Sequence, residues 1–379
     1  MAASVVIWLL CAVGFSVWFV FAPSAVTLTL AVGAVVLPIL SVIAAFVLRK
    51  KVTAELILPD SMLKNRQSTL KLAAENRAPI PFLRVRAEIR AENLLTSETA
   101  AQSVNCVLPA KGRSDAELSF CAAHCGVIHL QLKKLFVYDF FGLVPLPVPC
   151  TQEKRLLILP DTFEPKLRLP LHSGQTEESD IYSQEKPGTD YAEVFQVREY
   201  REGDSPKQIH WKLTTKYDEL MVRDPGLPLE RSVLLFWERG STEETPGQTD
   251  AMVESLVSVA RALLQQGVRC TLVWNSGAGV PEHYTLRQEE ELYAFLDKLL
   301  QARACPQDGL DLYLRLYGAQ KSGKVIFLSA KSTRLLEELC PPEHLTVLLC
   351  ADAQEDVYGR IYRFGEENYV EALYEIDLY

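Results

Sequence analysis

The densest group of residues able to take part in chemistry lies between residues 198 and 225. Its cations are suited to holding an anionic group, and His210 adds the side-chain type whose ordinary pKa is closest to neutral pH. Asp204 follows Gly203 in a turn dipeptide, where its carboxylate can orient one of the cations. This combination indicates a surface that binds an anion or a protein partner. The four cations are Arg198, Arg201, Lys207 and Lys212.

The same segment also has a structural interpretation. Trp211 and Tyr200 would pack where the loop crosses a sheet, and Asp204 would cap backbone donors or pair with an arginine. Acidic side chains balance the cations, which favours this buried polar lock over a binding surface. The acidic residues are Glu199, Glu202, Asp204, Asp218 and Glu219.

The elements that carry these residues are predicted to be short strands. Ile209–Lys212 alternates apolar and polar residues, and Leu220–Val222 is an apolar run closed by Pro225. The whole segment resembles the signature of the bacterial domain-of-unknown-function family 58, R-x-Y-x-x-G-D-x-x-R-x-I-x-W followed by L-x-V, with Lys207 in place of the last arginine. The matching positions are Arg198, Tyr200, Gly203, Asp204, Ile209, Trp211, Leu220 and Val222.

A second element upstream supports the resemblance. Gly126 precedes an apolar run, and the stretch after Tyr138 resembles the family's D-P-F-G-L element, with Phe140 in place of proline. The resemblance implies a C-terminal domain similar to von Willebrand factor A domains, association with MoxR-type AAA+ ATPases, and a role in cell-envelope or stress-related assembly. The upstream positions that match are Gly126, Asp139, Phe141, Gly142 and Leu143.

The N-terminal 48 residues contain no charged side chain. Ser4–Phe21 and Ser24–Leu48 are each long enough to cross a hydrocarbon core of about 30 Å, so residues 4–48 predict a two-span membrane hairpin. The alternative is a signal peptide, but no basic region precedes the first stretch. Arg49, Lys50 and Lys51 follow the second span directly and predict cytoplasmic soluble domains.

Three further regions follow the two transmembrane helices of residues 1–48. Residues 52–149 contain short alternating segments such as Leu83–Ile89, which predict an antiparallel β-sandwich of immunoglobulin or fibronectin type. Residues 150–230 predict a connector that begins with a strand at Leu156–Leu159 and carries the family signature. Strands and helices alternate from 231 to 379, which predicts an α/β domain with a mainly parallel sheet.

A cation site at the end of the first strand of this α/β domain is predicted to be degenerate. Von Willebrand factor A domains place a D-x-S-x-S motif there, whose short oxygen ligands bind a divalent cation. The positions that correspond here are Glu238, Gly240 and Thr242. Because only the first carboxylate is retained, the sequence favours a loop without a metal.

The charge distribution and the positions of the cysteines limit the kinds of function that the sequence allows. Residues 52–150 hold 11 basic and 9 acidic side chains, whereas residues 151–379 hold 25 and 39, a net charge of −14. A region with this negative charge is suited to binding a basic protein surface and is unsuited to binding nucleic acid. Several of the nine cysteines lie in apolar runs, which favours free thiols over disulfides.

The sequence contains no paired nucleophile and base, no phosphate-binding loop and no metal-ligand spacing, so we predict neither catalytic residues nor a cofactor. The favoured hypothesis is a membrane-anchored scaffold or adaptor that docks a protein partner, with a MoxR-type AAA+ ATPase implied by the resemblance. The alternative is a metal-assisted hydrolase, or another enzyme, that uses the signature segment.

Overall fold

The computed structural model describes residues 2–169, 190–200, 209, 211, 214–215, 219–226, 232–239, 244–276, 280–319, 323–331, 333–351 and 358–378. The chain divides into two compact units. The first comprises Met1–Thr162, Ser241–Glu254 and Phe295–Pro306, and the second comprises Phe163–Gly240, Ser255–Ala294 and Gln307–Tyr379. Residues 241–254 and 295–306 are thus grouped with the first unit, although they follow residue 231 in the sequence.

Two apolar helices begin the first unit. α1 covers Ala2–Phe21, and α2 covers Ala25–Leu48, with a 3-10 turn at Arg49–Lys51. Ser24 caps α2 by accepting a hydrogen bond from the Thr27 amide, while the Thr27 hydroxyl accepts one from the Ser24 amide. Of these two helices, Ala25–Lys51 is long and apolar enough to cross a membrane, and Val5–Phe21 is a shorter apolar helix.

Two sheets follow in the first unit. β1, β3 and β6 form a three-stranded antiparallel sheet, and the second sheet has the order β2-β9-β7-β4-β5, with β8 paired to β7. Most pairs are antiparallel, and β2 runs parallel to β9. The strands are β1 Val52–Ile57, β2 Ser61–Leu63, β3 Ser68–Asn76, β4 Phe82–Asn93, β5 Thr99–Leu108, β6 Gly112–Phe120, β7 Gly126–Tyr138, β8 Pro145–Val148 and β9 Gln152–Leu159.

The alternating pattern explains how these sheets form their core. In β4 the side chains of Val85, Ala87 and Ile89 are buried, while the residues between them are partly exposed. Residues of both sheets contribute to one continuous hydrophobic cluster. The run at Leu156–Leu159, predicted to open the connector, belongs to β9 and pairs with β7, so this core extends beyond the predicted boundary at 149.

The second unit contains a six-stranded mixed sheet of order β15-β14-β13-β16-β17-β18. β13, β14, β16, β17 and β18 are parallel, and β15 is antiparallel to β14. The strands are β13 Ser232–Trp237, β14 Arg269–Asn275, β15 Pro281–Leu286, β16 Lys324–Ser329, β17 Leu345–Leu349 and β18 Arg360–Arg363. Continuous apolar runs form the central strands because both faces are buried.

Helices cover this sheet, and short strand pairs complete the described chain. Side chains of α5 and α6 pack with Phe236 and Phe327 in one cluster. The helices are α3 Pro246–Gln265, α4 Glu289–Leu299, α5 Gly309–Tyr317, α6 Leu336–Leu339 and α7 Tyr369–Ala372. The remaining strands are β10 Lys166–Arg168, β11 Asp190–Glu199, β12 Met221–Gly226 and β19 Glu375–Asp377, of which β10 pairs with β19 and β11 with β12.

Candidate functional site

Backbone pairing holds the described part of the signature segment. β11 and β12 are antiparallel, with Arg198 opposite Val222, and the Tyr200 amide donates to the Leu220 carbonyl at 2.8 Å. Ile209 makes an isolated antiparallel bridge to Val222, whose side chain is fully buried. Ile209, the first residue of the strand predicted at Ile209–Lys212, is thus bridged to the end of the β11–β12 pair, and the predicted positions His210 and Lys212 lie outside the described residues.

The two aromatic residues of the signature face solvent. Trp211 is 65% exposed and Tyr200 is 38% exposed. Val222 is the buried residue beside the pairing of β11 with β12, whereas neither aromatic side chain is buried. Trp211 instead accepts a hydrogen bond at its carbonyl from the Thr215 hydroxyl at 2.8 Å. The predicted positions Arg201, Gly203, Asp204, Lys207, His210 and Lys212, and the side chain of Arg198, lie outside the described residues.

Asp139 organises the upstream family element. Its carboxylate is 1% exposed and accepts hydrogen bonds from the amides of Phe141, Leu143 and Val144 at 2.7–3.0 Å. The Ser41 hydroxyl in α2 also donates to this carboxylate, at 3.3 Å, and accepts from the Phe140 amide at 2.8 Å. Gly142, at φ +68°, completes the turn. The element is therefore a tightly bonded turn fastened to α2, with Leu143 half-buried inside it.

Position 126 requires glycine because its backbone lies very close to a buried side chain. Its φ is +137°, and a Cβ atom there would lie 2.2 Å from the Asn93 Oδ1 atom. Asn93 is buried and donates to the Cys125 carbonyl while its Oδ1 atom accepts from the Leu95 amide. Any side chain at position 126 would displace this buried amide.

Glu238 caps a helix. The carboxylate lies at the end of β13, where Oε1 accepts from the Gly309 amide at 3.0 Å and Oε2 accepts from the Leu310 amide at 2.7 Å. These amides open α5, where Asp308 adds a side-chain cap. Gly309 permits the contact because a Cβ there would lie 3.0 Å from Glu238 Oε1. Gly240 and Thr242, the other positions of the degenerate cation motif, lie outside the described residues.

The comparison with known families adds to this geometry. Residues 196–283 match the family described as "Protein of unknown function DUF58". These residues therefore carry a segment of the DUF58 family. The matched stretch runs from β11 into β15 and so includes the signature segment and Glu238. A search of the curated proteins finds no match.

Solved structures give only distant likenesses. The CARDB domain of a Pyrococcus furiosus protein, crystallised with di-metal ions, is 14% identical over 28% of this chain and 87% of its own, with a TM-score of 0.20. The DNA glycosylase AlkC of Pseudomonas fluorescens is 14% identical over 38% and 42%, with a TM-score of 0.21. A superoxide reductase of Ignicoccus hospitalis is 10% identical over 28% and 80%, also at 0.21.

A buried ionic cluster in the first unit was not predicted from the sequence. The Lys64 ammonium lies 2.6 Å from Glu254 and 2.8 Å from Asp250, both on α3, and Glu254 is fully buried. Burial alone would lower the pKa of Lys64, but hydrogen bonds and ion pairing to the two carboxylates outweigh it and raise the pKa. The sequence did contain a signal for this cluster, since the acidic residues 250 and 254 are spaced so that both fall on the apolar stripe of a predicted helix.

Backbone amides also donate hydrogen bonds to the two carboxylates of this cluster. Asp250 accepts from the Cys125 amide at 2.7 Å, and Glu254 accepts from the Asp161 amide at 2.9 Å. Burial, followed by the negative charge of Asp250, raises the pKa of the Cys125 thiol well above its usual value. The thiol is therefore kept protonated and unreactive, and we interpret the cluster as structural.

Proposed function

We propose that this protein is a membrane-anchored scaffold or adaptor whose signature segment docks a protein partner. The family resemblance supplies the candidate partner, a MoxR-type AAA+ ATPase, and the setting of cell-envelope or stress-related assembly. The protein acts by binding and positioning, and its own chain supplies no catalytic step.

The exposure of Trp211 carries this proposal. Tryptophan loses a large apolar area from water when a partner covers it, and it is among the residues that dominate binding energies at protein interfaces. Trp211 leaves 65% of its side chain in solvent within the segment that defines the family. Tyr200, which pairs through its backbone with Leu220, adds a second exposed aromatic side chain.

Anchoring is supported by the two apolar helices. α1 and α2 are joined by three residues and contact each other, since the Trp8 indole donates to the Ala34 carbonyl at 2.9 Å. We propose that both cross the membrane as a hairpin and that Arg49, Lys50 and Lys51 keep the rest of the chain in the cytoplasm. The net charge of −14 over residues 151–379 then favours a partner with a basic surface.

The order of the strands in the sheets supports a more specific assignment of the fold of each unit. In the second unit the first parallel strand, β13, lies between β14 and β16, and the antiparallel β15 forms one edge. We propose that this unit is a von Willebrand factor A-like domain, with Glu238 at the strand end where such domains bind a cation. The two sheets around one core in the first unit support a β-sandwich.

The alternative of a metal-assisted hydrolase has less support. Both oxygens of Glu238 already accept backbone N–H groups, so a cation there would compete with the cap of α5. Among the residues that the structure describes, no three His, Cys, Asp or Glu side chains gather in the manner of a metal site.

Affinity capture from native membranes tests the docking proposal. The tagged full-length chain is compared with Trp211→Ala and with Tyr293→Ala, which removes another exposed aromatic, from α4. We expect the wild type and Tyr293→Ala to retain the same AAA+ ATPase and Trp211→Ala to lose it at an unchanged melting temperature. Equal recovery by all three proteins would contradict docking through the signature segment.

A further inference from the structure

We propose that the turn Phe140–Leu143 is a membrane-inserted element, in which Phe140 and Phe141 enter the bilayer beside α2 and a phospholipid acyl chain fills the groove between them. This inference rests on the proposed membrane anchoring of α2. It assigns a lipid-binding role to the upstream family element. All the residues that take part belong to the first unit.

The attachment to α2 fixes the depth of this turn. The Phe140 amide bonds to the Ser41 hydroxyl, and Ser41 lies seven residues before the end of α2 at Leu48. Seven helical residues correspond to about 10 Å along the axis. The turn is therefore held alongside the helix, well before the chain reaches its first charged residue.

The length of α2 determines whether the turn lies inside the hydrocarbon core of the bilayer. Its 24 residues span about 36 Å, and a bilayer core is about 30 Å thick. Even if all of the excess, about 6 Å, projects at the C-terminal end, Ser41 remains about 4 Å inside the hydrocarbon. The turn bonded to Ser41 must then meet lipid.

The side chains of the turn suit that environment. Phe140 is 58% exposed and Phe141 is 42% exposed, and the two rings pack edge to face with centroids 5.5 Å apart. Val144 and Leu83 are further exposed apolar residues. Three amide donors of the turn do not oppose burial in lipid, because Asp139 accepts the amides of Phe141, Leu143 and Val144.

A groove lies between the turn and the helix. Its volume is about 520 Å³, and it is lined almost entirely by apolar side chains. One wall consists of α2 residues that would face the acyl chains of a bilayer, so a lipid tail is the occupant continuous with the proposed membrane. The α2 wall is formed by Leu37, Leu40, Ser41, Ala44 and Ala45, and the other wall by Ile80, Pro81, Phe82, Phe140 and Phe141.

Cations at the same end of the unit match the phospholipid headgroups. Arg49 donates to the Pro147 carbonyl at 2.8 Å, and its guanidinium lies 4.3 Å from the Phe46 ring centroid. The Arg84 guanidinium lies 4.6 Å above the ring of Tyr138, directly before the turn. Basic groups bordering inserted aromatic rings are the usual composition of a segment that lies at an anionic membrane surface.

Site-specific photocrosslinking tests this inference with the full-length chain. The photoreactive amino acid p-benzoylphenylalanine replaces Phe140 or Phe141, and the protein is reconstituted into vesicles of phosphatidylethanolamine and radiolabelled phosphatidylglycerol. Ile39, exposed on α2 and outside the groove, is the position that reports anchoring, and Tyr293 on α4 is the soluble control. Replacement of one aromatic ring by another in an exposed position preserves the fold.

We expect labelled lipid adducts at positions 39, 140 and 141, each at least five-fold above position 293. Adducts at position 39 without adducts at 140 and 141 would overturn the inserted turn while leaving the anchoring intact. Absence of adducts at position 39 would overturn the anchoring and the inference with it. Crosslinks from 140 or 141 to a second protein chain in place of lipid would show that protein covers the groove, and would also overturn the inference.

Discussion

At the scale of single residues, two carboxylates serve as acceptors for backbone amides, one in the upstream element and one in the stretch that matches DUF58. Asp139 binds the amides of its own turn, and Glu238 binds the amides of Gly309 and Leu310 from a distant part of the chain. A charged acceptor is favoured at a helix N-terminus because unpaired N–H groups and the helix dipole meet there. The carboxylate that resembles a cation ligand in sequence is thus engaged by α5.

Replacement of Glu238 tests this assignment. Glu238→Ala removes both hydrogen bonds and leaves the Gly309 amide without its acceptor, so we expect a loss of about 1–3 kcal/mol in the free energy of unfolding. The measurement is urea unfolding of the full-length chain in detergent, with the exposed Glu290→Ala as control. Addition of Mg²⁺ should leave the melting temperature of the wild type unchanged. Stabilisation by Mg²⁺ that Glu238→Ala abolishes would instead indicate a cation site.

At the scale of elements, alternation and periodicity predicted most strands and helices. The pattern at Leu83–Ile89 predicted the half-buried β4, and the apolar stripe after Asp250 predicted α3. Pairing over long sequence distances was not predictable, because no local pattern encodes which strand a run will join. β9 therefore appeared to open a connector, although it pairs with β7.

The candidate site was predicted less well than the fold. The residue types of the signature and the place of Gly126 in the upstream element were recognisable from the sequence, whereas the approach of Gly126 to Asn93 was not. The exposure of Trp211 was not, because a tryptophan between polar residues fits a buried lock and a binding surface equally well, and only the pairing of β11 with β12 decides which side chain is covered.

The Lys64 cluster gives a prediction for how α3 is held in the first unit. Lys64→Met would leave Asp250 and Glu254 buried without their cation, which typically costs about 3–5 kcal/mol. The exposed pair of Lys71 and Glu117, 3.9 Å apart, is the control, and Lys71→Met should cost less than about 1 kcal/mol. Equal stability of the two variants in urea unfolding would contradict a structural role for the cluster.

The same cluster has a defined pH dependence. The pKa of Lys64 is raised in the folded state, so its contribution is fully present below the unfolded pKa of lysine, about 10.4, and is lost as pH rises above that value. We expect the stability difference between wild type and Lys64→Met to be constant from pH 7 to pH 9 and to shrink towards pH 11. A difference that grows over the alkaline range would contradict this sign.

At the scale of the whole molecule, the proposed function needs one orientation in the membrane. Arg49, Lys50 and Lys51 are the first charged residues of the chain and directly follow α2. A phosphatase reporter that is active only outside the cytoplasm should be inactive when fused after Tyr379 and active when inserted at Pro23, between the helices. Phosphatase activity at Tyr379 would overturn the cytoplasmic assignment.

We propose that an exposed aromatic of the DUF58 signature docks a protein partner without a cation at Glu238. The most direct measurement is the affinity of the captured ATPase for the full-length chain in lipid nanodiscs, compared among wild type, Trp211→Ala and Glu238→Gln. We predict equal affinity for wild type and Glu238→Gln, and at least ten-fold weaker binding for Trp211→Ala, the effect of losing one central aromatic contact. Full affinity of Trp211→Ala, or a comparable loss in Glu238→Gln, would contradict the account.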